Sequence, residues 1–548
     1  MTMRARDRIL PPYTPRVADW RHALRRLFVV LLVIGFAAFY GMAIAVLPQQ
    51  FMTMLLVPVA LLLVLALWMA PDVDPRWDGA VIGIFFAYLF IGIVWPHYLA
   101  IDIVGLPWLP PSRFVQYAMV GIFLAFLAMS PRARREIGEV LPSEPLVWRL
   151  WLYFFILHVA LMPLAGIERV GYGINFLIYH LLMLLIAVFV LRREGMPERL
   201  SRVLLYATLV LCIYGALEVW NQKPIWSDHI PSFLRIQNTE LLERYAEGHT
   251  RALGAAGQGF EYRAKGPYSV SLFFGEYLGM LFPLAAHAFL RASTVWRKVA
   301  LGALAMFVLA NVGFANSRSG WIALIGATAS YYLVWATNRY LLRRKANDLF
   351  SSTAFWAIPA TFLFIASAVL FVGRIRAEVL GHSGMRESNN AREIQWDSAV
   401  ARTLEQPWGY GPGRGGEVVN FRTLDGFLTI DASHAKFLPE YGFVGFALLI
   451  LAYLASMFML FRVSLHARGD TEALALPAFA AGMGFLATRY GIADTSNLYI
   501  VFLFLALGFV LSWKQQARAP HLRQTLSLAD FVSLRLPGGR GVPEPASA

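Results

Sequence analysis

The sequence predicts an all-α polytopic membrane protein, and three observations carry that prediction. Of the 548 residues, 58% are hydrophobic and only 15% charged, with a mean hydropathy of +0.55, well outside the balance of soluble domains. The apolar residues fall in runs that reach or approach the roughly 20 residues a helix needs to cross about 30 Å of hydrocarbon, whereas barrel strands are about half that length and alternate in polarity. Lys and Arg alternate between successive connections, as the positive-inside rule requires of a correctly counted set of spans.

Taken in order, the runs give fourteen expected spans at 27–47, 51–70, 79–95, 114–130, 148–165, 173–191, 203–220, 267–290, 299–315, 319–337, 354–372, 437–461, 472–488 and 496–512. The third, fourth and thirteenth are short, so the expected count is 12 to 14. Every other connection is rich in cations. Seven arginines precede the first span, and later members of the set carry Arg132, Arg134, Arg135 and Arg149, then Arg192, Arg193, Arg199 and Arg202, then Arg291, Arg297 and Lys298. The short connections of the other set carry Arg113, Arg169, Arg318 and Arg489, one each, or none. Both termini are therefore expected to be cytoplasmic, with the long connections 221–266 and 374–436 facing outward. The expected organisation is a basic arm at 1–26, a multi-span domain at 27–513 and a cytoplasmic tail at 514–548.

The formal charge of +14 reflects this sidedness and does not point to nucleic acid: the 374–436 loop carries eight basic and eight acidic residues. The single cysteine, Cys212, lies in an apolar run, so neither a disulfide framework nor a cysteine metal site is expected. The arginine-rich start precedes an apolar run too long for a signal peptide, so no cleaved leader is expected.

The chemistry is sought in the 374–436 loop and the span entrances near it, because loops of that length in a packed protein are usually functional. Arg318, in N-S-R-S-G between two apolar runs, sits where an arginine is expensive unless it is paired, used or snorkelling to headgroups. Arg263 and Lys265 end the other long loop, just before a span whose amino terminus adds positive potential. Arg392 lies in A-R-E-I-Q-W-D-S-A-V-A-R-T-L, where Ala391, Ile394, Ala401 and Leu404 recur at helical spacing, predicting a short surface helix inside the loop. The glycine string P-W-G-Y-G-P-G-R-G-G at 407–416 has no G-K-[S/T] and reads as turns or as a close approach to a phosphate or sugar. His434 stands at a span entrance near Asp431 and Glu440, either structural or a base oriented by a carboxylate. Asp72-Val73-Asp74 resembles a metal-binding pair but falls on the cytoplasmic side. His158, His180, Glu218, Glu276 and His287 lie within or near spans, where a transporter would use them.

Together these pieces resemble the superfamily of O-antigen ligases and Wzy-type polysaccharide polymerases. The matching stretches are R-A-K-G-P-Y-S at 263–269, S-R-S-G-W at 317–321, R-E-I-Q-W-D-S-A at 392–399, P-W-G-Y-G-P-G at 407–413 and H-A-K-F-L-P-E-Y-G-F-V-G at 434–445, with Arg402 and Gly413 at an R-x10-G spacing. The sequence departs from the pattern at Ala435, where an asparagine often follows the histidine. The resemblance implies a metal-independent glycosyltransferase without cofactor, using a polyprenyl-pyrophosphate-linked oligosaccharide. It casts His434 as catalytic base and Arg263, Arg318 and Arg392 as the pyrophosphate clamp, with Arg402, Glu440 and Lys265 as secondary candidates. Fourteen spans, against the dozen or so common in ligases, favour a polymerase of exopolysaccharide or O-antigen, working with a chain-length regulator and export machinery. A ligase acting on lipid A core is the near alternative, and a lipid-linked oligosaccharide flippase the alternative of another class. Reporter fusions after residues 200, 345 and 465 are expected to report cytoplasm, and fusions near 240 and 410 the outer compartment. A cytoplasmic signal at 410 would overturn the sidedness on which this site assignment rests.

Overall fold

The computed structural model describes residues 69–96, 98–101, 110–227, 230–231, 233–236, 250–252, 260–338, 383–422, 428–489, 491–493 and 495–518, with a few isolated positions besides. The chain divides into two units, Met1–Ala66 and Leu67–Ala548; the first falls almost wholly outside the described residues, and the helical bundle belongs to the second. The expected spans 27–47 and 354–372, nearly all of 51–70, the basic arm and most of the tail lie outside the described residues.

Among the described residues, nine helices are long and apolar enough to cross a membrane. They are α2 (Pro111–Met129), α4 (Pro145–Ala165), α5 (Ile167–Leu191), α6 (Met196–Asn221), α7 (Ser271–Arg291), α8 (Val295–Phe314), α12 (Ser433–Leu465), α13 (Asp470–Thr488) and α14 (Leu498–Arg518). Two more expected spans are also helical: α1 (Asp78–Val94), of 17 residues, and α9 (Arg318–Thr337), of 20, whose small residues and tyrosines dilute its hydropathy. Between them come α3 (Pro131–Val140), α10 (Ser383–Glu405) and α11 (Gly415–Val419). The short surface helix expected around Arg392 is thus part of a 23-residue helix. Sheet is confined, among the described residues, to two antiparallel pairs of three-residue strands, Leu99–Ile101 with Leu234–Ile236 and Thr250–Ala252 with Phe260–Tyr262.

Connections expected on one side of the membrane touch one another. At one end of the bundle Asp78 binds Arg132 and Arg193, Arg192 binds Glu139, Arg291 binds Asp470, Arg462 binds Glu144 and Arg518 binds Glu472. Asp72 and Asp74 are engaged there too, with Arg134 and Ser130. At the opposite end the 99–101 strand pairs with the 234–236 strand, as two connections of the other set should.

Two features position the site. The first is a seam of small residues among α7, α9 and α13. A methyl group on Gly320 would lie 3.0 Å from the Cα of Gly275, one on Gly279 would lie 2.6 Å from the Gly320 carbonyl, and one on Gly484 would lie 2.8 Å from the Ala323 carbonyl. Such close backbone approach is how helices gain van der Waals contact where lipid tails are as apolar as leucine.

The second is a break in α12 at Gly442, whose φ of 65° and ψ of −177° are open to glycine alone. The glycine string wraps this break. Phe443 N donates to the Pro407 carbonyl at 3.1 Å, Tyr410 N to Pro439 at 2.8 Å and Gly411 N to Glu440 at 3.0 Å. A methyl on Gly442 would sit 2.1 Å from the Pro407 carbonyl, and one on Gly409 2.6 Å from the Glu440 carbonyl. Of the two readings of the string, the structure supports turns: Gly409 and Gly415 are spent on approach to α12, Gly411 on approach to Ala165 of α4 and Gly413 on approach to the Tyr172 ring of α5. Gly442→Ala combines backbone strain with overpacking, each worth roughly 1–3 kcal/mol, and is expected to lower the thermal midpoint in detergent by several degrees or prevent accumulation. Gly138→Ala, where a methyl meets nothing within 4 Å, should leave the midpoint unchanged or slightly raised; equal behaviour of the two variants would refute the collar.

Candidate functional site

Two groups of cationic side chains are mounted at the end of the bundle that carries the amino termini of α7, α9, α12 and α14. The first begins with Glu218, in the last turn of α6, buried and accepting three hydrogen bonds: from Tyr262 Oη at 2.7 Å, Lys265 N at 3.2 Å and Gly266 N at 2.7 Å. Gly266 turns the chain with φ 54° over the Phe274 ring, and Pro267 and Tyr268 lead into α7. The segment is tied on its other side to the α8–α9 turn, where Ala264 N meets the Phe314 carbonyl at 3.0 Å and Arg263 Nε the Ala315 carbonyl at 3.4 Å. Arg318, three residues beyond Ala315, opens α9 and is exposed. Arg263 and Arg318 thus flank one turn. Lys265 is fully buried. Desolvation pulls its ammonium down to about 8, partly offset by the Glu218 carboxylate.

The second group surrounds the segment 489–492, between α13 and α14. Ser433, first residue of α12, donates from N to the Arg489 carbonyl at 3.1 Å and from Oγ to the Ile492 carbonyl at 2.5 Å. His434 follows, half-buried, with Trp396 of α10 against its ring at a centroid distance of 5.0 Å and an interplanar angle of 64°. Arg392, one turn earlier on α10, reaches the same segment: a methyl on Gly491 would lie 3.7 Å from its Nη2. The register of α10 is fixed by Gln395, whose Oε1 accepts from Asp431 N at 2.9 Å, and by Ser398, whose Oγ donates to the Val419 carbonyl at 3.0 Å.

The two groups share a foundation. Gly275, facing Gly320 of α9, and Glu276, paired with Arg489, are consecutive residues of α7. Both sets of arginines are therefore referred to the same turn of one helix.

Of the secondary candidates, Lys265 belongs to the first group, whereas Arg402 and Glu440 part from the site. Arg402 lies ten residues along α10 from Arg392, about 15 Å at helical rise, exposed and paired with Glu405 at 3.1 Å. Glu440 is buried six residues after His434, on a face of the helix about 120° away, and accepts from Gly415 N at 3.2 Å. The neighbour of His434 is an indole, and Glu440 serves the glycine collar. Arg489 and Glu276 were not singled out by sequence reasoning as a pair. The signal lay in T-R-Y-G at 488–491, an arginine ending a span on the cation-poor side. The buried histidines have partners away from this site: His158 with Tyr441 Oη at 2.9 Å and the Gly173 carbonyl at 3.1 Å, His180 with the Phe176 carbonyl at 2.7 Å, and His287 with Tyr331 Oη at 2.9 Å.

Residues 303–450 match the family model described as O-antigen ligase. The expected resemblance to the superfamily of O-antigen ligases and polymerases is thereby shown over this segment, and it supports a ligase- or polymerase-type function. The O-antigen ligase match runs from within α8 to within α12 and takes in Arg318, Arg392, Arg402, His434 and Glu440; Arg263, Lys265 and Arg489 lie outside it. A search of curated proteins found no match.

The buried Lys265 gives a pH signature. With its folded value at about 8 and an unfolded value of about 10.4, the unfolded chain binds more protons between those limits, so its contribution to stability rises with pH across that window and is absent below pH 8. The difference in thermal midpoint between wild type and Lys265→Met should accordingly shift toward wild type from pH 8 to pH 10; a difference flat with pH would contradict the buried ammonium.

Proposed function

We propose that this protein is an inner-membrane polymerase that joins undecaprenyl-pyrophosphate-linked oligosaccharide repeat units at the periplasmic face, giving an exopolysaccharide or O-antigen. The observation that carries the reading is the convergence of Arg392 and His434 on the 489–492 segment, inside the region matched to O-antigen ligases. The side of the membrane follows from the Lys/Arg alternation.

In the proposed reaction His434 takes the proton of an acceptor sugar hydroxyl as that oxygen attacks the anomeric carbon of the donor. The bond from that carbon to the pyrophosphate oxygen breaks, and its electron pair leaves with the pyrophosphate. Arg263, Arg318 and Arg392 meet the charge that grows on the leaving group, for which a planar bidentate cation is better matched than an ammonium. Trp396 beside His434 limits water on one side of the imidazole, which favours the neutral, proton-accepting ring. A chain-length regulator and export machinery are the partners such a polymerase works with.

A second reading, transfer of a finished glycan onto lipid A core, is favoured by the description of the matched family. The two differ in what accumulates. Arg318→Ala and Arg392→Ala are expected to lower product formation roughly 30- to 1,000-fold, the equivalent of about 2–4 kcal/mol per positioned contact, with little recovery in the lysine variants. His434→Ala should stop growth with single lipid-linked repeat units accumulating at the outer leaflet, while the control His382→Ala, in G-H-S-G at 381–384 of the same loop and outside every matched stretch, behaves as wild type and turnover persists in chelator. Long glycan retained on its lipid carrier would select the ligase instead. Wild-type polymer from His434→Ala would falsify the base assignment, and units trapped on the cytoplasmic leaflet would mark a flippase.

A further inference from the structure

Resting on the glycosyl-transfer reading above, we infer that the buried Glu276–Arg489 pair is a positioning device for His434, acting through Ser433. Glu276 is 1% exposed and Arg489 15%, in a part of the chain where an unpaired charge is strongly disfavoured. The Glu276 carboxylate accepts from the Arg489 guanidinium, from Thr488 Oγ1 and, at 2.9 Å, from Asn497 Nδ2. Asn497 also donates to the Phe273 carbonyl at 3.0 Å. One carboxylate therefore ties α7 to the end of α13 and to the approach to α14.

Arg489 is held along its whole length. Its Nε donates to the Phe485 carbonyl at 3.1 Å and its guanidinium carbon stands 3.6 Å from the centre of the Phe485 ring. What it holds in turn is backbone. The Arg489 and Ile492 carbonyls accept the two hydrogen bonds of Ser433, so the first turn of α12 hangs from this segment at two points, one residue before the proposed base. Helix packing would be served as well by an apolar pair of the same volume. The ionic network does something such a pair would not: it fixes the azimuth of the first turn of α12, and with it the imidazole, against Trp396 and Arg392. A displacement of about 1 Å in a reacting group is enough to cost on the order of 100-fold in rate.

The test uses the full-length protein in lipid nanodiscs, with lipid-linked glycan extracted from a host strain lacking this protein as substrate and undecaprenyl pyrophosphate as binding probe. Ser433→Ala is expected to lower kcat about tenfold or more with KM within about twofold and probe binding unchanged, and Ser433→Thr, which keeps the hydroxyl, to restore most of it. Arg489→Lys and Glu276→Gln should act on kcat in the same sense, and Ser433→Ala combined with Arg489→Lys should fall well short of the product of the single effects, because both act through one path. Wild-type kcat in Ser433→Ala, multiplicative losses in the double variant, or losses accounted for wholly by a smaller folded fraction would each overturn the inference. A parallel loss of undecaprenyl pyrophosphate binding would overturn it too, assigning the segment to Arg392. Failure of the reading beneath it shows separately: His434→Ala would then keep wild-type turnover whatever Ser433 does.

Discussion

A helix broken inside a membrane protein leaves backbone donors and acceptors that hydrocarbon cannot solvate, each at a cost of several kcal/mol unless the protein supplies partners. Much of this site depends on how the break at Gly442 is satisfied. The collar drawn from 407–416 supplies the missing partners and locks the direction in which the segment from Ser433 to Tyr441 leaves the membrane helix. Two stretches more than 20 residues apart in sequence are thereby made one structural unit.

Electrostatics divides the second unit into two ends with different uses of arginine. At the end carrying Arg132, Arg193, Arg291, Arg462 and Arg518, each guanidinium has an acidic partner on a neighbouring helix. These pairs are mostly half-exposed and contribute little stability individually; their role is to join successive connections. At the other end three buried carboxylates hold the chain in place: Glu218 receives the 265–266 amides, Glu440 the Gly415 amide, and Glu276 the Arg489 guanidinium.

Much of this was legible in the sequence because the membrane imposes length and composition on each span, and eleven expected spans coincide with described helices. The motifs carrying Arg263, Arg318 and His434 stood out because each sits where an apolar run meets polar chain, and that of Arg392 because apolar residues recur at helical spacing within a polar loop. Illegible were relations between side chains distant in sequence. Glu440 follows His434 closely enough to pass for its partner, yet six residues of helix turn it to another face, and the neighbour of the imidazole is Trp396, 38 positions earlier. The glycine string read equally well as turns or as a ligand cradle, since glycine signals close approach without naming what approaches. Glu276 and Arg489 are separated by 213 residues, and nothing local marks either as the other's partner.

The seam of small residues among α7, α9 and α13 bears on where entropy is spent. Side chains there are reduced to hydrogen or methyl, so the three backbones touch with almost no rotamers left to freeze. The helices that carry Arg318, Glu276 and Arg489 are thus packed backbone against backbone. A long, flexible lipid-linked glycan arriving at this site loses its own freedom but need not also order its host, and more of the contact energy is left for the charge that appears only as the glycosidic bond breaks.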